Sequence, residues 1–169
     1  MRFGIDELTI KKLLKQAERD GIQKIVVRAV IKQNGEFLLL ERSASEFLGG
    51  LIVLPGGAVD AGEDILHALT REIKEETNLV ITKIINYLGS FDHFSSSGKK
   101  TRQFNFLAKA KLGKIKLDPT EHSNYFLVNP SDKEFSKLNI SNGTKATLLI
   151  AEKILKSDNV KSKFLEKIF

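Results

Sequence analysis

This chain of 169 residues contains no cysteine. That excludes disulfides, thiolate nucleophiles and sulfur-based metal sites, and it suits a reducing compartment. Long apolar runs are also missing: none approaches the roughly 20 residues that span a bilayer. The opening segment, MRFGIDELTIKKLLKQAERDG, is amphipathic and lacks the apolar core of a secretory signal. No internal repeat and no low-complexity segment interrupts the chain. The expectation is a soluble, unprocessed, cytoplasmic protein. At this length a single domain accounts for the chain. It buries about 70% of its unfolded surface, so no disulfide or structural zinc is needed.

The net charge is +6, from 27 basic and 21 acidic residues. The lysines are scattered, as on a solvated surface, and no nucleic-acid recognition motif accompanies them. The basic stretch 153–167 lies apart from the chain's most acidic segment.

Hydrophobic periodicity outlines the elements. Residues 5–20 carry apolar side chains at helical spacing, with Gly21 as a stop. Residues 23–33 and 36–42 read as strands joined by Asn34-Gly35, a type I′ hairpin signal. A short strand at 51–54 ends in Pro55-Gly56-Gly57. Residues 63–77 read as a helix with Ile65, Leu69 and Ile73 on its inner face. Strands follow at 79–91, bulged near Gly89, at 101–111 and at 122–128. Ser141 caps a second amphipathic helix over 141–155, and 161–169 adds a turn or two. This mixture argues for an α/β domain with a layered α/β/α arrangement and a mixed sheet.

Residues 57–79 read GAVDAGEDILHALTREIKEETNL. Glu72, Glu75 and Glu76 stand at i, i+3 and i+4, so a helix stacks three carboxylates on one face. Each such like-charged pair costs roughly 0.2–0.5 kcal/mol. A divalent cation reverses that sign, because Mg²⁺ takes hard oxygen ligands. An acidic site in a basic protein suits a polyanionic substrate bridged by a metal.

The spacing resembles the Nudix box, in which Gly, Glu, Arg-Glu and Glu-Glu recur in a fixed register. Here Gly57, Glu63, Arg71, Glu72, Glu75 and Glu76 fill those positions, with Ile73 and Leu79 at the apolar ones. With residue frequencies of order 1/15, six such matches arise by chance about once in ten million starts. Asn78 stands where the box closes with Gly. Asn is the residue that best tolerates the left-handed turn such a position needs. Ile52 stands where many members carry Trp.

The resemblance implies a Nudix-type α/β/α sandwich whose box forms a loop-helix-loop. It divides the chain into an N-terminal helical extension (1–22), a Nudix domain (23–157) and a basic C-terminal tail (158–169). It implies that Glu72, Glu75 and Glu76, with the carbonyl of Gly56, bind Mg²⁺, with Mn²⁺ as a substitute. Glu63 and Arg71 then brace loop and helix. The implied reaction is hydrolysis of a nucleoside diphosphate linked to another group, by a MutT-like nucleoside triphosphate pyrophosphohydrolase. ADP-ribose or nucleotide-sugar cleavage, or nucleotide sensing without cleavage, are the alternatives.

The base that takes the water's proton is Glu72 or a Glu from a later loop, for which Glu121 is the candidate. His122 beside it is a weaker candidate, since a His next to a loop is more often a surface residue, and His67 and His93 receive no role. Arg102, Phe104 and Phe106 alternate on one strand face. Arg102 suits a phosphate and Phe104 a base, while a core position suits the rings as well. Asn142 is either a contact for a purine edge or part of a helix cap. Phe47 and Leu48 precede the box strand and are further pocket candidates. The expected partner is a small-molecule nucleotide, with neither membrane nor nucleic acid, and a homodimer is an open alternative.

Overall fold

The structure is a computed structural model that describes residues 2–166, with side-chain surroundings for residues 4–158. In chain order the elements are β1 (Arg2–Phe3), α1 (Glu7–Arg19), β2 (Lys24–Gln33), β3 (Glu36–Arg42), β4 (Ile52–Val53), α2 (Ile65–Thr77), β5 (Ile81–Phe94), β6 (Lys100–Ala110), β7 (His122–Val128), a 3₁₀ turn (Lys133–Lys137) and α3 (Asn142–Glu166).

Asn34 and Gly35 both take positive φ, 52° and 89°, as a type I′ turn demands. The hairpin they close soon parts. β2 pairs with β3 only at Lys32↔Phe37 and Gln33↔Glu36. From Lys24 to Ile31 it runs parallel to β6 instead. β3 pairs antiparallel with β7 along most of its length and with β4 at Leu40 and Glu41. β5 lies antiparallel to β6, with one of its register shifts between Tyr87 and Gly89, and β1 joins its outer edge in parallel. The result is a seven-stranded mixed sheet in the order β1-β5-β6-β2-β3-β4, with β7 also on β3.

The parting of β2 from β3 leaves one edge of β2 free, and the loop before α2 takes it. Ala29 N–H donates to the Pro55 carbonyl and Val27 N–H to the Gly57 carbonyl, both at 2.9 Å, and Val59 N–H returns to the Ile25 carbonyl at 3.0 Å. This loop is therefore a rung of the sheet. Its closeness explains Gly56, whose φ is 132°. A Cβ there would overlap the Val27 carbonyl oxygen and lie 2.9 Å from Arg28 Cα.

Helices cover both faces. Ile10 and Ala17 of α1 and Ile65, Leu66, Ala68, Leu69 and Ile73 of α2 pack with Val27, Ala29, Ile31, Phe104, Phe106 and Ala108. Leu148 and Ala151 of α3 pack on the other face with Val30, Phe37, Leu39 and Leu107. Alternation along β2 and β6 thus sends odd and even residues to different helices. The α/β/α arrangement with a mixed sheet is as expected, and among the described residues no helix is long and apolar enough to cross a membrane.

Three details differ from expectation. Two-residue β1 is too short to leave a sequence pattern. α2 begins at Ile65, because Asp64 caps it, accepting from the N–H groups of Leu66 and His67. α3 runs on without a break to Glu166, while residues 167–169 of the expected tail lie outside the described residues.

Asn78 ends α2 in the left-handed region, φ 61° and ψ 8°, and its N–H donates to the Lys74 carbonyl. Lys74 Nζ also donates to Asn78 Oδ1 at 2.6 Å. Asn78→Ala should destabilise the fold by about 1 kcal/mol, because Ala lacks the short polar side chain that lets Asn take this left-handed conformation. Asn78→Gly should stay within a few tenths of the parent, since Gly meets no such penalty. Urea unfolding of the pair checks this, and equal losses would assign the effect to the Lys74 contact.

Candidate active site

Glu76 is the one acidic residue of α2 on its buried side, 3% exposed among the apolar residues that face the sheet. Its Oε2 accepts the Gly56 N–H at 2.6 Å. Oε1 lies 3.9 Å from Arg28 Nη1 and 3.4 Å from His122 Nε2. Arg28 comes from the middle of β2, is itself buried, and donates through Nη1 to the Leu54 carbonyl at 2.9 Å. Glu121, exposed, ends the loop before β7, and it joins Glu76 and His122 in a group whose potential ligand atoms lie within 4.8 Å of one another. Four elements therefore meet here: the Pro55-Gly56-Gly57 turn, α2, β2 and the start of β7.

Glu72 and Glu75 lie along the same helix but are held differently. Arg71 Nη1 donates to Glu72 Oε1 at 2.7 Å and to Glu75 Oε2 at 3.1 Å. Through Nε and Nη2 it grips both oxygens of Glu63, at 2.9 and 2.8 Å, and Nη2 also reaches the Ala58 carbonyl. Glu63 precedes the cap of α2, so it is a loop residue and not the first residue of the helix. The bidentate pair ties the loop to the helix two turns further on, a geometry to which Arg is suited. Gly57 sits under this frame, where a Cβ would overlap the Glu72 carboxylate.

The electrostatics follow from burial. Hydrogen bonds from Arg71 hold the Glu63 carboxyl down at about 2. Burial raises Glu72, and Arg71 opposes it. Burial pushes Glu76 up to about 7, against the pull of Arg28 and the Gly56 N–H, with the charges of Glu121 and Glu72 adding to the rise. Burial lowers Arg28 while Glu76 supports its charge. His122 is pressed down to about 4 by burial and then by the charges of Arg28 and Arg42, so its imidazole is neutral near pH 7.

A pH effect follows. The Glu76 carboxyl titrates at about 7 in the fold against 4.5 ordinarily. The folded protein then binds the extra proton between those values, so this group withdraws stability as pH rises through that window. The upper bound is roughly 3 kcal/mol. His122 acts with opposite sign below 6.5, its ordinary value. Urea unfolding of the chelator-treated protein at pH 5 and pH 8 should show Glu76→Gln gaining stability relative to the parent as pH rises. A constant difference between the two proteins would refute this.

The structure sorts the expected site residues. Gly56 and Glu76 meet with Glu121, while Glu72 and Glu75 join Glu63 around Arg71. The expectation of a surface position for His122 is corrected: it is 2% exposed. Arg102 and Phe104 do not reach this site. Arg102 donates to both oxygens of Asp92, at 2.7 and 2.9 Å, and pairs with Asp20 at 2.8 Å. Phe104 is 1% exposed. The reason is alternation: even positions of β6 face α1 and α2, whereas Arg28 projects on the other face, level with Gln103 and Asn105. Ser141, not Asn142, caps α3, accepting the Thr144 N–H at 3.2 Å. Asn142 and the pair Phe47 and Leu48 are solvent-accessible, with Leu48 at φ 59°. Arg28 escaped the sequence reading, although a charged residue inside the run Ile25-Val26-Val27-Arg28-Ala29-Val30-Ile31 is a usable signal.

The chain is similar to several known proteins. The ADP-ribose pyrophosphatase of Methanocaldococcus jannaschii is 40% identical over 67 residues, covering 40% of this chain and 38% of that protein. The CTP pyrophosphohydrolase of Escherichia coli is 39% identical over 57 residues, 34% of this chain and 42% of that one. The matched stretches span about two fifths of each of these relatives. The crystal structure of a MutT NUDIX hydrolase from Burkholderia pseudomallei superposes with a TM-score of 0.64 at 26% identity, covering 74% of this chain and 95% of that one. The family model described as NUDIX domain matches residues 23–145, which take in the box loop, α2 and every strand from β2 to β7. On that match, the chain belongs to the NUDIX domain family.

Proposed function

We propose that this protein hydrolyses a pyrophosphate bond in a nucleoside diphosphate linked to another group, with a nucleoside triphosphate as the leading substrate and Mg²⁺ as the leading cation. The observation that carries this reading is the meeting of buried Glu76 with the Gly56 turn and Glu121. The donor set fits a hard divalent ion: carboxylates of Glu76 and Glu121, the Gly56 carbonyl, and Glu72 beside them. Bound there, such an ion supplies neutralisation of phosphate oxygens and a lowered pKa for water.

The chain's own residues do the rest. Arg71 and Glu63 hold the loop so that the Gly56 turn and Glu76 keep their places, as a support for ligands must. Arg28 stays charged and offsets the Glu76 carboxylate in a site screened from solvent. Glu121 stands at the open side and accepts the proton of the attacking water. Glu72 is the weaker acceptor, because one of its oxygens is already engaged by Arg71. Phosphoryl chemistry asks mainly for charge stabilisation and alignment, and this arrangement provides both. Arg102, held by Asp92 and Asp20, and buried Phe104 drop out as candidates for contact with the outer part of the substrate. Residues 1–22 and 158–169 flank the catalytic unit in this reading.

The test is a panel of nucleoside triphosphates, ADP-ribose, nucleotide sugars and dinucleoside polyphosphates, with products identified by chromatography. A nucleoside monophosphate and pyrophosphate should appear with Mg²⁺ and vanish with chelator. ADP-ribose belongs on the panel because one relative bears that activity in its name. Absence of turnover on every member sinks the proposal.

A further inference from the structure

Glu76, Glu121 and His122 each present one potential ligand atom, and these atoms lie within 4.8 Å of one another. Two are carboxylate oxygens and the third is an imidazole nitrogen. His122 is 2% exposed, and neither of its ring nitrogens has a hydrogen-bond partner. Its Nε2 stands 3.4 Å from Glu76 Oε1 without hydrogen-bond alignment. A buried polar side chain left in this way asks for a reason. Arg28 supplies no partner either: its Nη1 donates to the Leu54 carbonyl, and its Nε is likewise without one. The nitrogen instead lies beside the carboxylate that the proposed function makes a cation ligand.

We propose that His122 Nε2 is itself a ligand of the divalent cation held by Glu76 and Glu121. The site is then a mixed nitrogen and oxygen site, and it holds Mn²⁺ more tightly than Mg²⁺. Mn²⁺ is the weakest nitrogen binder of the first-row divalent ions, yet it accepts an imidazole more readily than Mg²⁺, which keeps to oxygen and water. Bonds of about 2.1 Å set opposite ligands about 4.2 Å apart. Exposed Glu121 is free to close the small remaining gap by side-chain rotation. This inference rests on the reading that a cation sits at Glu76, and it goes beyond that reading by naming a nitrogen ligand and a preferred ion.

The experiment uses the full chain, stripped of metal and titrated with Mn²⁺ alone. Pulsed electron paramagnetic resonance of the parent should show coupling from a directly bound ¹⁴N, replaced by a ¹⁵N pattern when the protein is labelled at histidine. His122→Phe should lose that coupling, and its Mn²⁺ dissociation constant should rise at least tenfold. Competition should show Mg²⁺ affinity changing less than threefold. The metal-free melting temperature of His122→Phe should match or exceed that of the parent, since no hydrogen bond is lost. Where that variant does not fold, His122→Gln and the labelled parent carry the same readout. Bound Mn²⁺ without nitrogen coupling overturns the inference, as does an unchanged Mn²⁺ affinity in the variants. Nitrogen coupling without turnover of any nucleotide overturns the proposed activity and leaves His122 as a ligand. Turnover with no coupling does the reverse.

Discussion

Glu76→Gln should lower kcat/KM by about a thousandfold, some 4 kcal/mol of transition-state stabilisation, the scale for losing one preorganised charged contact. The substitution keeps the shape of the side chain. Its amide oxygen can still accept the Gly56 N–H that Glu76 Oε2 accepts at 2.6 Å. What it removes is the charge, and the charge is the part that faces Arg28, His122 and the proposed cation. Because that charge is costly to bury, the metal-free variant should be at least as stable as the parent near pH 8, which separates lost chemistry from lost fold. Glu75→Gln is the control. The Glu75 side chain is 60% exposed and, among the described residues, its ion pair is with Arg71, so its loss should cost less than tenfold. Steady-state kinetics on the best substrate of the panel decide the matter. A Glu76→Gln enzyme with more than a tenth of parental kcat/KM would remove Glu76 from the centre of the mechanism.

Gly56→Ala should cost more than about 3 kcal/mol of stability, as overpacking against backbone in a forbidden conformation does. Two causes add. A φ of 132° is one that L side chains rarely adopt, and the new Cβ would press on the Val27 carbonyl and on Arg28 Cα, at 2.9 Å. Backbone cannot swing aside as a side chain can. The loop must therefore lift, and the rungs from Ala29 to Pro55 and from Val27 to Gly57 break with it. Gly57→Ala makes an instructive contrast. There the obstacle is the Glu72 carboxylate, the far end of a flexible side chain. Gly57→Ala should thus keep most of its stability and lose activity, as Glu72 is displaced from Arg71. Melting temperatures and kinetics of the two variants side by side test the distinction. A Gly56→Ala protein as stable as the parent would mean that the loop tolerates a side chain against β2.

The elements that carry the reaction were the most legible in the sequence. Apolar spacing at Ile65, Leu69 and Ile73 fixed the face of α2, and the carboxylate spacing marked the same helix. Asn34-Gly35 announced the first hairpin because two successive positive φ values need such residues. Other features depend on which side of a sheet a residue takes, and one strand alone does not say. Arg102 and Phe104 share a face, as expected, but only the pairing of β6 with β2 shows that Arg28 is on the opposite one. Glu63, eight residues before Arg71, reads from the apolar periodicity as the first residue of the helix. Asp64 took the cap position, and Arg71 is long enough to reach a loop carboxylate at that spacing. His122 was misjudged for a similar reason. It opens the strand expected at 122–128, but a first strand residue does not reveal its face, and pairing with Arg42 turns it inward.

The early parting of β2 from β3 has a consequence for how the site moves. A ligand loop usually fluctuates on its own, with local opening energies far below that of the whole fold. Here the amide protons of Val27 and Ala29 belong to the strand, while their acceptors, the carbonyls of Gly57 and Pro55, belong to the loop. Their exchange with solvent deuterium therefore clocks the departure of the loop from the sheet, and a site in working order keeps both among the slowest-exchanging protons of the molecule.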